Sequence, residues 1–253
     1  MQAKKSFGQH FLTQPRVIER IVELILSLGT GKLVEIGPGR GAITKLLKNS
    51  VQEFKALEAD KDMVQHLLSE FPELENKLIQ ADVLKYDFKT LFENQEFNLC
   101  GNFPYNISSQ IVIKVLENAD LIPYMVGMFQ KEMALRLCGK QGTKDYGPLA
   151  ILCNRLYEVK IMFDVNRMNF SPPPNVLSSI VLFKRKENRI SHQEYSELQK
   201  LLRQAFQFRR KTLRNNLKST IQNALWLEEP IFDKRPEDLS PQDYLALCER
   251  LRK

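Results

Sequence analysis

The sequence lacks the features of a membrane or secreted protein. No apolar run approaches the ~20 residues needed to span a bilayer, and the first residues, "MQAKKSFGQHFL", have no long apolar core of a secretion signal. Four cysteines are widely separated and form no CxxC pair, so neither a zinc site nor a thioredoxin-like motif is indicated: Cys100, Cys138, Cys153 and Cys248. We expect a cytoplasmic protein with free thiols, no metal and no membrane contact.

Acidic residues are absent from one stretch near the C-terminus. Seven basic residues fall between Lys200 and Lys218, where there is no Asp or Glu. Their charge equals the formal net charge of the whole chain, +7, so the remainder is formally neutral. Concentrated positive charge of this kind favours a polyanionic partner, most simply nucleic acid. The alternative is an ordinary solvated helix face.

The order of apolar segments indicates an α/β protein. The chain has 253 residues, 43% of them hydrophobic, which suits one large domain or a large and a small one. From Lys32 to about Lys131, short apolar runs alternate with helical spacings. Repeated strand–helix units with short connections predict a parallel sheet covered by helices on both faces. An amphipathic helix is predicted before them, over 16–28, with Thr13 as a candidate cap.

The composition changes after the last predicted strands. "YEVKIMFDV" and "SSIVLFKRK" are strand-like and suit the closing strands of the sheet. The following segment, "ENRISHQEYSE", is polar, and helical patterns broken by prolines follow it. We therefore place a domain boundary near Lys186, which gives a first domain over 1–186 and a small all-helical domain over 187–253.

A glycine-rich turn follows the first strand of the predicted sheet. In "VEIGPGRGAIT", glycines at 37, 39 and 41 allow a tight turn and close approach of a ligand to the backbone. The spacing Gly37-x-Gly39-x-x-Ala42 also satisfies a relaxed dinucleotide fingerprint, so a nicotinamide or flavin enzyme is one interpretation. A merely structural strand-to-helix turn is another.

Polar side chains stand at the ends of the next three predicted strands. Glu58 lies about 20 residues beyond the glycine turn, where an acid that binds a ribose diol is expected. Asp82 ends the third strand, in "LIQADVL", and Asn102 ends the fourth. Each acid alone would suit a helix cap or a surface charge. Together with Gly37 they predict a nucleoside-binding row along the carboxyl edge of the sheet.

The stretch "GNFPYNISS" is hard to explain as packing. Asn102, Phe103, Pro104 and Tyr105 stand together between an apolar run and a helical pattern. A Pro-Tyr turn after a strand would account for Pro104 but would leave Asn102 and Tyr105 without a role. The pattern therefore indicates a functional loop at the edge of the sheet.

These motifs together resemble a known family. "FGQHFL", "VEIGPGRGAIT", the acids Glu58 and Asp82, "GNFPYNISS", "FSPPPNVLSSIV" and "FRRKTLRNNL" occur in the order and at the intervals of the ribosomal RNA adenine dimethyltransferases that act on the small subunit. The match runs over nearly the whole chain. The family usually reads Asn-Leu-Pro-Tyr, whereas Phe103 replaces leucine here. We expect that change to affect the pocket wall and to leave the class of enzyme in place.

The resemblance implies a fold and an activity. The fold is a seven-stranded, Rossmann-like S-adenosylmethionine methyltransferase sheet over 1–186, with a small helical RNA-binding domain over 187–253. The activity is N6 dimethylation of two adjacent adenines in a hairpin loop near the 3′ end of small-subunit (16S) ribosomal RNA. The partner implied is a pre-30S particle during ribosome assembly, and we expect the protein to be a monomer.

Roles for the catalytic loop follow from the chemistry of adenine, whose exocyclic amine is a poor nucleophile. We expect the side-chain oxygen of Asn102 and the carbonyl of Pro104 each to accept a hydrogen bond from one N–H group of this amine. The lone pair of the nitrogen would then point at the methyl group of the cofactor. Tyr105 would stack on the extruded base. By resemblance, the ring of Phe170 lies on the opposite side of the base, although a buried core phenylalanine is the competing interpretation.

The remaining site residues are assigned by resemblance and by charge. His10 and Leu12 are similar to family residues that close over the methionine end of the cofactor, and Gly37, Glu58, Asp82 and Asn102 complete the predicted cofactor site. In "FQFRRKTLRNNLK" four cations are expected to face RNA phosphates: Arg209, Arg210, Lys211 and Arg214. Four apolar residues between them are expected to pack the small domain: Phe206, Phe208, Leu213 and Leu217.

Two alternative functions remain besides that of a nicotinamide enzyme. One is a related methyltransferase that acts on large-subunit RNA and confers macrolide resistance, against which "FSPPPNVLSSIV" and "FRRKTLRNNL" argue. The other is a non-catalytic RNA-binding assembly or transcription factor on the same fold. The intact motif from Asn102 to Tyr105 disfavours the second alternative.

Overall fold

A computed structural model describes most of the chain, namely residues 10–187, 190–221 and 223–252. The described residues form two compact units. The first consists of the described part of Met1–Ala134 with Lys160–Arg185, and the second of the described parts of Leu135–Val159 and Lys186–Lys253. The chain returns to the second unit at Lys186, beside the expected boundary. The second unit also includes Leu135–Val159, which the expected division assigned to the first domain, so the functional division stays a prediction.

The main sheet has seven strands. The strands of the described residues are β1 (Phe11–Leu12), β2 (Lys32–Ile36), β3 (Glu53–Glu58), β4 (Leu78–Gln80), β5 (Asn98–Asn102), β6 (Tyr124–Gln130), β7 (Tyr157–Val165), β8 (Phe170–Ser171) and β9 (Ser178–Arg185). Their order in the main sheet is β4-β3-β2-β5-β6-β9-β7. The first five of these pair in parallel, and β9 pairs antiparallel with β6. The predicted seven-stranded α/β sheet is confirmed.

Burial along the strands follows their place in the sheet. In β2, every residue after Lys32 is buried, as is typical of a parallel strand covered on both faces. In β7, at one end of the sheet, accessibility alternates along the strand, as expected where one face is less covered. The closing pair predicted from "YEVKIMFDV" and "SSIVLFKRK" corresponds to β7 and β9, which are neighbours.

The helices of the described residues are α1 (Pro15–Ser27), α2 (Thr44–Leu47), α3 (Lys61–Glu70), α4 (Ser108–Glu117), α5 (Lys131–Leu137), α6 (Pro148–Leu156), α7 (His192–Ala205), α8 (Leu213–Leu217), α9 (Ala224–Leu227) and α10 (Pro241–Leu251). The predicted first helix is confirmed, but Thr13 does not cap it. Gln14 is the N-cap residue, and Thr13 Oγ1 instead donates to the carbonyl of Asn169 at 3.1 Å. None of the helices described has both the length and the apolar character to cross a membrane.

The second unit is largely helical. α7 packs against α6, α8 and α10. Both α7 and α10 begin at capping boxes, in which a serine side chain and a glutamate or aspartate side chain bond reciprocally to backbone N–H groups. The buried hydroxyls of Tyr146 and Tyr244 donate to the carbonyls of Leu239 and Pro236, at 2.9 and 2.7 Å. The predicted helical C-terminal region is confirmed.

Strand register brings four strand ends to one edge of the sheet. Ile36 of β2 lies opposite Leu57 of β3, and Glu58 at the end of β3 lies opposite Gln80 of β4. β5 runs parallel to β2 on its other side. Residues that follow β2, β3, β4 and β5 therefore meet at the carboxyl edge.

Candidate functional site

A cavity of about 320 Å³ lies at the carboxyl ends of these strands. This volume is at the lower end of the range of small-molecule sites, roughly 300–1,000 Å³. All six residues predicted to contact a cofactor line it: His10, Leu12, Gly37, Glu58, Asp82 and Asn102. Pro104 and Tyr105 line it as well, whereas Phe170 does not.

The glycine-rich turn brings backbone to the edge of the cavity. Gly37 has φ of +66°, a left-handed conformation that L side chains rarely adopt, and its N–H donates to the carbonyl of Leu57 at 2.9 Å. Gly39 has φ of +56°, and a Cβ there would lie 3.1 Å from the ring of Phe11. The left-handed conformation of both residues therefore favours glycine, and the turn leaves the backbone open to a ligand.

Glu58 is held rigidly between the glycine turn and its own strand. The residue is only 7% exposed. One carboxylate oxygen accepts from Asp60 N at 2.9 Å, and the other accepts from Gly39 N at 3.1 Å. Burial raises the pKa of Glu58, and these two hydrogen bonds oppose the rise. Because a carboxylate can accept about four hydrogen bonds, each oxygen retains capacity for a ligand hydroxyl.

Glu35 is a cavity residue that the sequence reasoning missed. It lies in β2 at 2% exposure, and Thr44 Oγ1 donates to its carboxylate at 2.7 Å. Burial raises the pKa of Glu35 to about 7, the Thr44 hydrogen bond opposes this, and the nearby Glu58 adds to it. The signal that could have identified it is a charged residue inside the otherwise apolar run "LVEI".

Asp82 combines a local structural role with a place on the cavity. Its Oδ1 accepts from Leu84 N at 2.9 Å, as a turn-capping aspartate does, and Oδ2 lies 4.0 Å from Lys85 Nζ. It remains exposed enough to contact a ligand.

Throughout the ranges that the structure describes, no group of three or more His, Cys, Asp or Glu side chains is arranged to hold a metal ion.

The amide of Asn102 is oriented by the main chain of the N-terminal segment. Its Nδ2 donates to the carbonyl of His10 at 2.8 Å, so Oδ1 is the side-chain atom that remains to accept from a ligand. The carbonyl of Pro104 accepts from Ile107 N at 3.2 Å and thus closes a turn. Since a carbonyl oxygen has two lone pairs, that turn leaves Pro104 able to accept a second bond.

The unusual Phe103 fits because two glycines make room for it. The residue is 1% exposed, and its ring meets Phe129 edge to face with centroids 5.3 Å apart. A Cβ on Gly101 or Gly127 would lie 2.7 or 2.4 Å from the Phe103 ring. The larger side chain therefore anchors the loop between Asn102 and Pro104 in space that neighbouring strands leave open.

Tyr105 is fixed at its hydroxyl and covered on one face. Its hydroxyl lies 2.5 Å from Ser178 Oγ, and its ring stacks on His10 with centroids 5.6 Å apart and planes at 26°. Burial raises the pKa of Tyr105, and the Ser178 hydrogen bond opposes the rise. His10 is held in turn by Nδ1, which donates to the carbonyl of Pro172 at 2.8 Å. A base that stacks on Tyr105 must use the other face or displace His10.

The position of Phe170 differs from the one predicted. It is 3% exposed and belongs to the main hydrophobic core, with Leu12 opposite it in the pairing of β1 and β8. In this conformation its ring is a core side chain, not a wall of the cavity. Phe170 is therefore a buried core phenylalanine in this structure, which was the competing interpretation, because pairing with the N-terminal segment buries the ring.

The basic stretch of the second unit is divided by the structure. Arg209, Arg210 and Lys211 are exposed on the turn between α7 and α8, and Arg209 also donates to the carbonyl of Thr143 at 3.2 Å. Arg214 is not free: its Nε donates to the carbonyl of Leu227 at 2.7 Å, and its guanidinium pairs with Asp233 at 2.8 Å. Arg214 thus braces the second unit, a role that the sequence did not predict, and its side chain stays 43% exposed.

The apolar residues of the same stretch divide in the same way. Leu213 and Leu217 are fully buried, and Phe206 is half-buried beside Tyr244, as the packing prediction requires. Phe208 is 57% exposed, so the prediction that it packs the small domain is wrong. Phe208 lies on the turn between α7 and α8, two residues beyond Phe206, and its side chain stays exposed there.

Comparison with known proteins gives a consistent assignment. The model of a family described as ribosomal RNA adenine dimethylase matches residues 1–253. "Ribosomal RNA small subunit methyltransferase A" of Flavobacterium johnsoniae is 41% identical over 251 residues, 99% of this chain and 96% of that protein. A dimethyladenosine transferase from Plasmodium falciparum has a TM-score of 0.78 at 27% identity, with 96% and 98% of the two chains covered. The 23S rRNA methyltransferase ErmE has a TM-score of 0.66 at 24% identity, with 96% and 100% covered, a likeness that shows the fold alone.

Proposed function

Because the chain belongs to the ribosomal RNA adenine dimethylase family, we propose that it dimethylates N6 of two adjacent adenines in a hairpin loop near the 3′ end of small-subunit ribosomal RNA. The methyl donor in this proposal is S-adenosylmethionine, and the substrate is a pre-30S particle in the cytoplasm. The name of the Flavobacterium johnsoniae relative supports the small subunit. The observation that carries the chemistry is that Asn102 and Pro104 share one cavity with Glu58.

The cavity residues fit S-adenosylmethionine. Each oxygen of the Glu58 carboxylate can accept a hydrogen bond from one ribose hydroxyl. The turn from Gly37 to Gly39 lets a ligand approach the backbone. Glu35 and Glu58 both line the cavity, and a cationic ligand there favours their ionised forms. Leu12 and His10 supply the wall on the side of the N-terminal segment. When bound, S-adenosylmethionine supplies an electrophilic methyl group.

Asn102 and Pro104 align the nucleophile. The side-chain oxygen of Asn102 and the carbonyl oxygen of Pro104 accept hydrogen bonds from the two N–H groups of the adenine amine. These bonds hold the nitrogen nearer to tetrahedral geometry, with the lone pair directed along the path of methyl transfer. The hydrogen bond from Asn102 Nδ2 to the His10 carbonyl keeps the amide oxygen on the ligand side. No general base is needed, because the amine proton becomes acidic once the nitrogen is alkylated.

Tyr105 provides the stacking surface for the extruded base in this proposal. Its hydroxyl bond to Ser178 fixes the plane of the ring, which lowers the entropy lost on stacking. Arg209, Arg210 and Lys211 bind phosphates and contribute affinity without reading sequence. A stacking role for Phe170 requires that its ring leave the core, so we assign the stacking contact with the base to Tyr105 alone.

Methylation of isolated ribosomal subunits tests the proposal. The protein and labelled S-adenosylmethionine are incubated with unmethylated small subunits and, separately, with large subunits, and modified bases are mapped. We expect N6,N6-dimethyladenine at two adjacent positions of small-subunit RNA only. Label in large-subunit RNA would favour the macrolide-resistance type of enzyme, and RNA binding without label would favour an assembly factor.

A further inference from the structure

Phe208 is an exposed aromatic residue in a basic surrounding. It is 57% exposed and directly precedes the exposed Arg209, Arg210 and Lys211. No acidic residue occurs between Lys200 and Lys218. A single exposed apolar side chain is common on protein surfaces and needs no explanation by itself, but Phe208 is also held in an unusual way.

The main chain of Phe208 is clamped from both sides by one buried amide. Asn216, 5% exposed in α8, accepts from Phe208 N at 3.1 Å through Oδ1 and donates to Phe208 O at 3.2 Å through Nδ2. Lys211 N also donates to Phe208 O, at 2.9 Å. A buried polar side chain is costly unless it is hydrogen-bonded, and here both of its functional atoms serve this one residue. The turn therefore holds the main chain of Phe208 in a defined position and leaves the side chain exposed.

The chemistry of this turn suits a nucleotide. Aromatic rings stack on nucleobases, whose flat faces are exposed when they are unpaired, while adjacent cations bind the phosphates. An apolar partner surface would have to desolvate the three neighbouring cations, at a cost that a polyanion does not impose. We propose that Phe208 is a base-stacking contact for an unpaired nucleotide of ribosomal RNA. This inference rests on the proposed function.

Binding of unmethylated small-subunit ribosomal RNA to variants tests the inference. Phe208→Ala should weaken binding by about 5- to 150-fold, the equivalent of ~1–3 kcal/mol for one stacked base. The slope of log affinity against log salt should stay unchanged, because no phosphate contact is lost. Phe208→Tyr should bind as the wild type does, and Phe208→Leu, which is apolar but has no π-face, should resemble Phe208→Ala. Leu225→Ala, at another exposed apolar position of this unit, is the matched control and should have no effect.

A spectroscopic signal separates stacking from a general loss of affinity. The chain has one tryptophan, Trp226, so the wild type is the reference for Phe208→Trp. Stacking predicts that RNA quenches the added emission of Phe208→Trp. Unchanged affinity in Phe208→Ala, or no quenching in a bound Phe208→Trp, would overturn the inference.

Two further outcomes distinguish the inference from its premise. Loss of binding to the assembled particle but not to naked RNA would assign Phe208 to a protein partner and also overturn it. A wild-type protein that neither binds nor methylates the RNA would overturn the proposed function itself, and the inference with it. A wild type that does both, beside an unaffected Phe208→Ala, would overturn the inference alone.

Discussion

The two units hold their candidate functional residues in opposite ways. In the first unit, Glu35 and Glu58 are almost fully buried and Asn102 is tied to the main chain. In the second, Arg209 to Lys211 are exposed on a turn. Chemistry at one nitrogen atom needs groups held to within a fraction of an ångström, whereas attraction to a polyanion needs only charge in the right region. Substitutions in the first unit should therefore change rate or cofactor affinity, and those in the second should change RNA affinity.

The largest expected effect is on the rate of methyl transfer. Asn102→Ala removes one of the two acceptors proposed to align the amine, so single-turnover methylation of small subunits at saturating cofactor should fall by ~100-fold or more. RNA binding should be nearly unchanged. Asn98→Ala, at the other end of the same strand, is the matched control. Near-normal methylation by Asn102→Ala would refute the alignment mechanism.

The next effect is on cofactor binding. Glu58→Ala removes both proposed ribose contacts and should weaken binding of S-adenosylhomocysteine by roughly 1.5–3 kcal/mol, as for hydrogen bonds to a charged group. Glu53→Ala changes an exposed carboxylate at the start of β3, which pairs with Lys32, and should leave binding unaltered. Calorimetry measures both. Equal affinities of a folded Glu58→Ala and the wild type would remove Glu58 from the site.

The contrast between the units also explains what the sequence could predict. Glycines and polar residues at strand ends identified most of the cavity, because strand topology alone brings those ends together. The observed settings of Phe170 and Arg214 were not predicted, since they depend on partners far away in sequence. Phe170 is buried by pairing with the N-terminal segment, and Arg214 is held, while still 43% exposed, by the Leu227 carbonyl and by Asp233.

Phe103 illustrates the same limit in a favourable case. The replacement of leucine was visible in the sequence, but its accommodation was not. The space for the ring comes from Gly101, in β5 just before the loop, and from Gly127, which pairs with Gly101 in β6. Cross-strand packing of this kind is a property of the register and cannot be read from one segment.

The third prediction concerns pH and the buried Glu35. Its pKa is about 7 in the folded protein because of burial, against an ordinary value of 4.5. Between these values the unfolded state binds fewer protons than the folded state, so the wild type loses stability as pH rises. Relative to the wild type, the free energy of unfolding of Glu35→Gln should rise by about 1–3 kcal/mol between about pH 5 and pH 8. Denaturant titrations at both pH values measure it, with Glu53→Gln as the control. A constant difference would show that Glu35 is not a buried titrating group.

The fourth prediction tests the exposed cations. Combined replacement of Arg209, Arg210 and Lys211 by Ala should lower RNA affinity by roughly 10-fold at physiological salt and flatten its salt dependence by about 0.7–0.9 log units for each lost phosphate contact. Cofactor affinity should stay the same. Arg214→Ala is the informative comparison, because it should destabilise the second unit without flattening the salt dependence. An unchanged slope in the triple variant would make these cations a solvated face.

The smallest effect is expected at the hydroxyl of Tyr105. Tyr105→Phe keeps the ring but loses the bond to Ser178, which should cost about 0.5–1.5 kcal/mol of stability and leave methylation within a few-fold of the wild type. Tyr105→Ala removes the stacking surface and should lose considerably more activity, since stacking contributes ~1–3 kcal/mol per base. Single-turnover methylation at saturating cofactor separates the two. If both variants lose activity equally, the hydroxyl itself takes part, through its place beside Ser178, and stacking alone is the wrong role for this residue.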